Sequence, residues 1–231
     1  MDYASIEKTN PYVKAIPLPE HHRGMLFDGI LTMQNRNIFA AYPALFLKEK
    51  FARIIEIGTA FGGFAVWFRK YIGMEMGLFD GPIITYDISN GPAGHDEYMV
   101  KQFSYAGYQS TDFSINDYLK NLDIDFKIKD CFEKETFKEI TDLIQEPGKT
   151  LIVCDGGNKA KEVQEFSPYL KKGDVIIGHD YSKTGNPNYY LWWEIELTHD
   201  HIASSIKENN IGKHELEPLF DKAVSFIGVK E

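Results

Sequence analysis

Repeatedly along this chain a short apolar, β-branched run closes on a glycine or a polar residue and gives way to a helical pattern. The runs are Arg53–Ile57, Pro82–Ile88, Phe126–Lys129, Thr150–Cys154 and Val175–Gly178. Between them, Phe64–Tyr71, Tyr98–Tyr108, Lys134–Ile144 and Ala160–Leu170 space their apolar residues as helices do. Strands that are apolar throughout are buried on both faces, and helical crossovers supply the cover. Lys213–Phe220 and Ala223–Val229 then face each other across Asp221-Lys222, which suits an antiparallel hairpin. The pattern predicts an α/β three-layer sandwich whose seven-stranded sheet is mostly parallel and ends in a C-terminal antiparallel hairpin. A long helix over Tyr189–Glu208 precedes that hairpin.

The first 50 residues read differently. Pro11, Pro17 and Pro19 break the segment up to Glu20 into an irregular arm, and apolar spacing from Met25 to Lys50 predicts two cap helices. Residues 1–50 are thus expected as arm and cap, and 51–231 as one ligand-binding domain. The arm is suited to exchange between subunits of a homo-oligomer. Acidic residues outnumber basic ones 34 to 25, so the net charge of −9 offers no footprint for a nucleic acid. No segment approaches the roughly 20 apolar residues of a membrane span. Cys131 and Cys154 lie in apolar surroundings and read as buried reduced thiols, consistent with a cytoplasmic protein.

In such sheets ligands bind beyond the carboxyl ends of the strands, and the polar residues of this chain gather there. Glu56-Ile-Gly58-Thr59-Ala-Phe-Gly62-Gly63 runs from the first strand into a helix. Its glycines permit φ > 0 and close approach of a nucleotide-like ligand. Ala60 occupies the second glycine position of the dinucleotide fingerprint, which is therefore not met. Asp87 is placed to accept ribose hydroxyls, and Asp130 to meet an adenine amino group with Cys131 beside the ring. Each also has a plain reading, as a packing turn, a helix cap or a solvated strand end. Asp155, His179 and Asp180 follow two further strands. Two readings fit them: a divalent metal site, or a direct ligand contact by Asp155 with His179 as a satisfied hydrogen-bonding residue.

Taken together these residues resemble the cephalosporin hydroxylase/rhamnosyl O-methyltransferase family and the related small class I methyltransferases, which use S-adenosylmethionine (SAM). The similarity runs from Gly29-Ile-Leu-Thr-Met-Gln34 through Arg53–Gly63, Ile84-Thr-Tyr-Asp87 and Cys154-Asp155-Gly-Gly to Val175-Ile-Ile-Gly-His179-Asp180-Tyr181. It implies a Rossmann-like fold in which Glu56, Gly58 and Asp87 hold SAM; Thr59, Gly62, Asp130, Cys131 and Asp155 are the further candidate contacts to the cofactor. It also implies a Mg²⁺ or Mn²⁺ site on Asp155, His179 and Asp180, and methyl transfer to a hydroxyl of a small molecule (a sugar, a phenol or a natural product). Gly157 and Asn158 stand where the family shows a second acid and a histidine, which leaves His179 as the first candidate base and Lys159 as a weaker one. Asp155 is the second catalytic candidate. Tyr189, Tyr190, Trp192 and Trp193 are candidates to stack on the acceptor, and the Ser182–Asn188 loop is a candidate lid. Competing readings are a nicotinamide-dependent oxidoreductase, which lacks the middle glycine it needs, and a non-catalytic SAM-binding subunit.

Overall fold

The computed structural model describes residues 14–15, 25–27, 30–32, 34–35, 37–89, 115–183 and 197–231. The helix expected over 98–108, the residues Tyr189, Tyr190, Trp192 and Trp193, and most of the Ser182–Asn188 loop lie outside the described residues. In chain order the elements are β1 (Lys14–Ala15), β2 (Met25–Phe27), β3 (Ile30–Thr32), α1 (Ile38–Lys48), β4 (Arg53–Ile57) and α2 (Gly63–Trp67). A wider π-helical segment, Phe68–Glu75, continues α2. Then follow β5 (Ile83–Asp87), α3 (Ile115–Asn121), β6 (Ile124–Ile128), α4 (Lys134–Gln145), β7 (Thr150–Cys154), α5 (Lys159–Phe166) and β8 (Val175–His179). The chain closes with β9 (Tyr181–Ser182), β10 (Leu197–Thr198), α6 (His199–Glu208), β11 (Ile211–Lys213), α7 (Glu217–Lys222) and β12 (Ser225–Lys230).

The main sheet has seven strands in the order β11-β12-β8-β7-β4-β5-β6. From β8 to β6 every pairing is parallel, while β12 runs antiparallel to both its neighbours. Only β12 is therefore reversed. The expected C-terminal hairpin exists as the β11–β12 pair, but its connection is not tight. Glu217–Lys222 forms α7, and the first strand sits at Ile211–Lys213. Pro218 at the start of α7, with Leu219 and Phe220 behind it, favours a helical turn over a strand.

The first of the two expected cap helices is also absent. Met25–Phe27 and Ile30–Thr32 are antiparallel strands paired with Phe27 opposite Ile30, so only Asp28-Gly29 joins them, a dipeptide that favours two-residue hairpin turns. The second helix is present as α1, and it is part of the main core. Phe39, Tyr42 and Phe46 are fully buried against Phe64, Trp67 and Phe68, with edge-on ring contacts such as Tyr42–Phe68 at 5.0 Å. Large buried rings of this kind contribute about 2–3 kcal/mol each.

The opposite face of the sheet is covered by α4, α5 and α6, where Ile140, Ile144, Phe166 and Ile202 pack on Ile55, Ile152 and Ile176. All five residues of β4, β7 and β8 are buried, as strands enclosed from both sides require. Arg53 opens β4 from a buried position. Its guanidinium donates to Glu146 O and Pro147 O beyond α4 and to Thr150 Oγ1 at the start of β7. A cation is well placed at a helix carboxyl end, and these bonds tie the bottom of two central strands to α4. The upper ends are thereby left to carry the site.

Candidate functional site

At the carboxyl end of β4 the backbone turns at Gly58, where φ is +94°. Its N–H donates to Tyr86 O at 2.8 Å, and Asp155 N–H donates to Ile57 O at 2.9 Å, so the tips of β4, β5 and β7 are bound together. A Cβ on Gly58 would lie 2.3 Å from Asp155 O, so the close approach demands glycine. Ala60 N–H donates to Asp87 Oδ2 at 2.8 Å, and Ser89 N–H and hydroxyl donate to Oδ1, which fixes the Asp87 carboxylate at the turn.

Beside the turn lies a cleft of about 230 Å³ lined by Gly58, Asp87, Ile88, Asp130, Cys131 and the Gly156–Asn158 loop, among others. Asp130 accepts Phe132 N–H at 2.8 Å, and burial pushes the Cys131 thiol up to about 12, keeping it neutral. Ile88 is 77% exposed at this edge, an apolar side chain of large size with no place in the core. The geometry thus brings Gly58, Asp87, Asp130 and Cys131 to one cleft.

It does not bring the other expected contacts there. Glu56 projects from the opposite side of β4 to Ile57 and is buried, accepting from Thr85 Oγ1 at 2.5 Å. Thr59 is buried beside it with its own hydroxyl 2.5 Å from Thr85 Oγ1. Gly62, at φ +82°, serves as the cap of α2. Glu56, Thr59 and Gly62 thus support the turn from behind and do not line the cleft.

Burial raises the Glu56 carboxyl to about 8, helped by the negative charges of Asp155 and Asp87 and opposed by the Thr85 bond. The unfolded chain releases this proton near the ordinary value of 4.5 and the folded chain only near 8. Between those limits the folded state binds more protons, so stability falls as pH rises and then levels off. Relative to Glu56→Gln, the wild-type chain should lose up to about 1.4 kcal/mol per pH unit over this window. Urea unfolding at pH 5, 6.5 and 8 reads this slope; parallel curves for the two proteins would contradict the buried protonated state.

A second cluster lies on the other side of the Asp155–Asn158 segment. Asp155 Oδ2 accepts from Gln34 Nε2 at 2.5 Å and lies 3.2 Å from His179 Nδ1. His179 Nε2 is 3.0 Å from the hydroxyl of Tyr42. A carboxylate can only accept, so Nδ1 carries a proton and Nε2 meets Tyr42. Both imidazole nitrogens are engaged within the protein, and the ring is buried. Burial pushes the Asp155 carboxyl up, but His179, Lys159 and Gln34 outweigh that and hold it below the ordinary range. Burial, with the charges of Asp155 and Glu56, pushes the Tyr42 hydroxyl well above its usual value, so it stays protonated.

The strand ends at His179, and Asp180 takes φ +51°, the turn needed to aim two adjacent residues at one place. Among the described residues the Asp180 carboxylate meets a lysine there. Lys159 Nζ lies 3.2 Å from Asp180 Oδ2, 3.7 Å from Asp155 Oδ1 and 3.0 Å from Gly156 O. Among the described residues no group of three His, Cys, Asp or Glu side chains is arranged to hold a metal ion. Asp155, His179 and Asp180 do come together, as hydrogen-bond and ion-pair partners of Tyr42, Gln34 and Lys159, and the donor set among the described residues does not fit a metal.

Two contributors had weak sequence signals. Tyr42 looked like one more core ring on an apolar helix. Glu162 is buried under the cleft, where it accepts from Gly156 N–H at 3.1 Å and Asn158 N–H at 3.2 Å, and burial raises it to about 7. It clamps the loop shared by cleft and cluster. Gln34 was legible only through the family resemblance. Among the described residues no helix is long and apolar enough to cross a membrane.

No protein-family profile and no curated protein matches this chain. Solved structures do. CmcI in its D160 form with Mg and SAM superposes at a TM-score of 0.53 with 16% identity, covering 84% of this chain and 72% of that one. The N160 form of CmcI without ligand gives 0.54 at 15% identity, over 86% and 72% of the two chains. The N160 form with SAH (S-adenosylhomocysteine) gives 0.54 at 13% identity, over 98% and 90%. At these identities the likeness shows the fold alone, and the expected Rossmann-like three-layer sandwich is the fold of this chain.

Proposed function

We propose that the chain is a SAM-dependent O-methyltransferase acting on a hydroxyl of a small molecule, of sugar, phenol or natural-product type. The observation that carries this reading is adjacency: a nucleoside-sized cleft and a buried polar cluster share one short segment, Asp155–Asn158. The cleft suits adenosine. Asp87 and Asp130 offer acceptors to hydroxyl and amino groups, while Ile88 and Cys131 flank an apolar space between them. SAM supplies an electrophilic methyl group on a sulfonium when bound.

The remaining work falls to the chain. Asp155 Oδ2 is shared by Gln34 and His179, and these bonds, with Tyr42 behind His179, lock the carboxylate in place. Its Oδ1, with the looser Lys159 contact, is the oxygen that accepts the acceptor's hydroxyl proton. A low carboxylate pKa makes Asp155 a weak base before reaction. The hydroxyl becomes strongly acidic as its oxygen gains the methyl, so a fixed weak base suffices once the reactants are aligned.

The test is calorimetry with SAH and with NADH on the same protein. SAH should bind and NADH should not, and Asp87→Ala should weaken SAH at least about tenfold by removing the ribose acceptor. Binding of NADH in place of SAH would support the oxidoreductase. SAH binding without transfer to any hydroxyl in an acceptor panel would support the non-catalytic subunit.

A further inference from the structure

We propose that the ammonium group of Lys159 is the resident cation of this site, holding Asp155 and Asp180 together so that a divalent metal ion has neither the position nor the ligands to bind. The inference draws on the methyl-transfer reading only for what the cation serves; its geometry stands apart.

Lys159 is an unusual place for a buried charge. Its side chain is 6% exposed, and it opens α5, the helix end whose dipole disfavours a cation. Neither solvent nor helix holds it there. Among the described residues the two carboxylates do, at 3.2 and 3.7 Å, together with Gly156 O at 3.0 Å. Burying an ammonium is costly unless it is paired and hydrogen-bonded, and this one is both. Asp155 and Asp180 in turn need a positive charge between them, because neighbouring carboxylates resist ionising together.

The candidate metal donors are meanwhile committed elsewhere. Asp155 Oδ2 is taken by Gln34 and His179, and both nitrogens of His179 are engaged. Gly157 brings no side chain. Asn158 turns its Oδ1 to Lys161 N–H at 3.1 Å as the cap of α5. A hard divalent ion needs several oxygen ligands and gathers them around its own charge. Here the lysine occupies that centre, and as a fixed cation it also offsets charge on an acceptor oxygen losing its proton.

Titration with Mn²⁺, followed by electron paramagnetic resonance, tests the assignment without an acceptor. The wild-type chain should leave the free-ion signal intact at millimolar Mn²⁺. Lys159→Ala, which removes the ammonium from between Asp155 Oδ1 and Asp180 Oδ2, should bind Mn²⁺ at least about tenfold more tightly, and adding Asp155→Asn should reverse the gain. Lys159→Arg, which keeps the charge, should bind no better than wild type. Wild-type binding in the micromolar range that Asp155→Asn abolishes would overturn the proposal, as would a folded Lys159→Ala with no gain. Should Lys159→Ala not fold, the wild-type titration still decides by the same micromolar criterion. SAH calorimetry on the same samples separates the two readings. Mn²⁺ binding with SAH binding overturns the lysine assignment alone, whereas absent SAH binding overturns the methyltransferase alone.

Discussion

Gly58→Ala should destabilise the protein by about 3–5 kcal/mol, lower its Tm by roughly 10 °C and abolish SAH binding. Two costs add. The backbone at φ +94° is strained for any L-residue with a side chain, and the new Cβ meets backbone atoms of Asp155 and Gly156 at 2.3–2.7 Å. A side-chain neighbour could swing away, but a peptide plane cannot. Relief requires parting the tips of β4 and β7, which the Asp155 N–H to Ile57 O bond holds together. The same movement opens the cleft that Gly58 lines. Gly157→Ala is the control: its Cβ would have nothing within 4 Å, so stability should stay within about 0.5 kcal/mol of wild type. Thermal unfolding of both variants reads the contrast. A Gly58→Ala protein as stable as wild type would mean the turn is not built as described.

Asp155→Ala should lower methyl transfer about a thousandfold while SAH affinity changes by less than about threefold. The carboxylate faces Gln34, His179 and Lys159, and the nearby cleft is lined by its neighbours Gly156 and Gly157. On the proposed reading, removing it takes away the oxygen that receives the acceptor's proton; it also leaves buried His179 and Lys159 and half-buried Gln34 without their shared acceptor. Stability should fall by about 3–5 kcal/mol for the second reason. Turnover and SAH calorimetry, run well below the variant's Tm, keep the two effects apart. Loss of SAH affinity equal to the loss of turnover would place Asp155 in the cofactor site; unchanged turnover would remove it from the reaction.

The fold was largely written in local pattern. Apolar runs such as Leu151–Cys154 and Val175–Gly178 have one good solution, a parallel sheet enclosed by helices, and the glycines at 58 and 62 mark the turn they form. Where pattern misled, the cause was also local. Leu26, Ile30 and Met33 mimic helical spacing, but Asp28-Gly29 joins two paired strands there. Phe220 and its neighbours read as strand and form α7.

The site was legible in part. Strand-end position pointed to Asp87, Asp130 and Asp155, because only the strand termini of such a sheet face a ligand. Whether a given strand-end acid faces the cleft depends on which side of the strand it leaves. That is why Glu56 belongs with Thr85 in the interior and Asp87 with the cleft.

By itself, then, the order of residues determined the sheet, the glycine turn and the set of acids near it, since these follow from burial and backbone sterics within a few residues. Only the tertiary structure decided their partners. Tyr42 reaches His179 across 137 positions and Gln34 reaches Asp155 across 121, while Asp180, beyond a different strand from Asp155, comes within 3.2 Å of Lys159 Nζ. Distances of that kind arise from packing the whole core, and no local spacing encodes them.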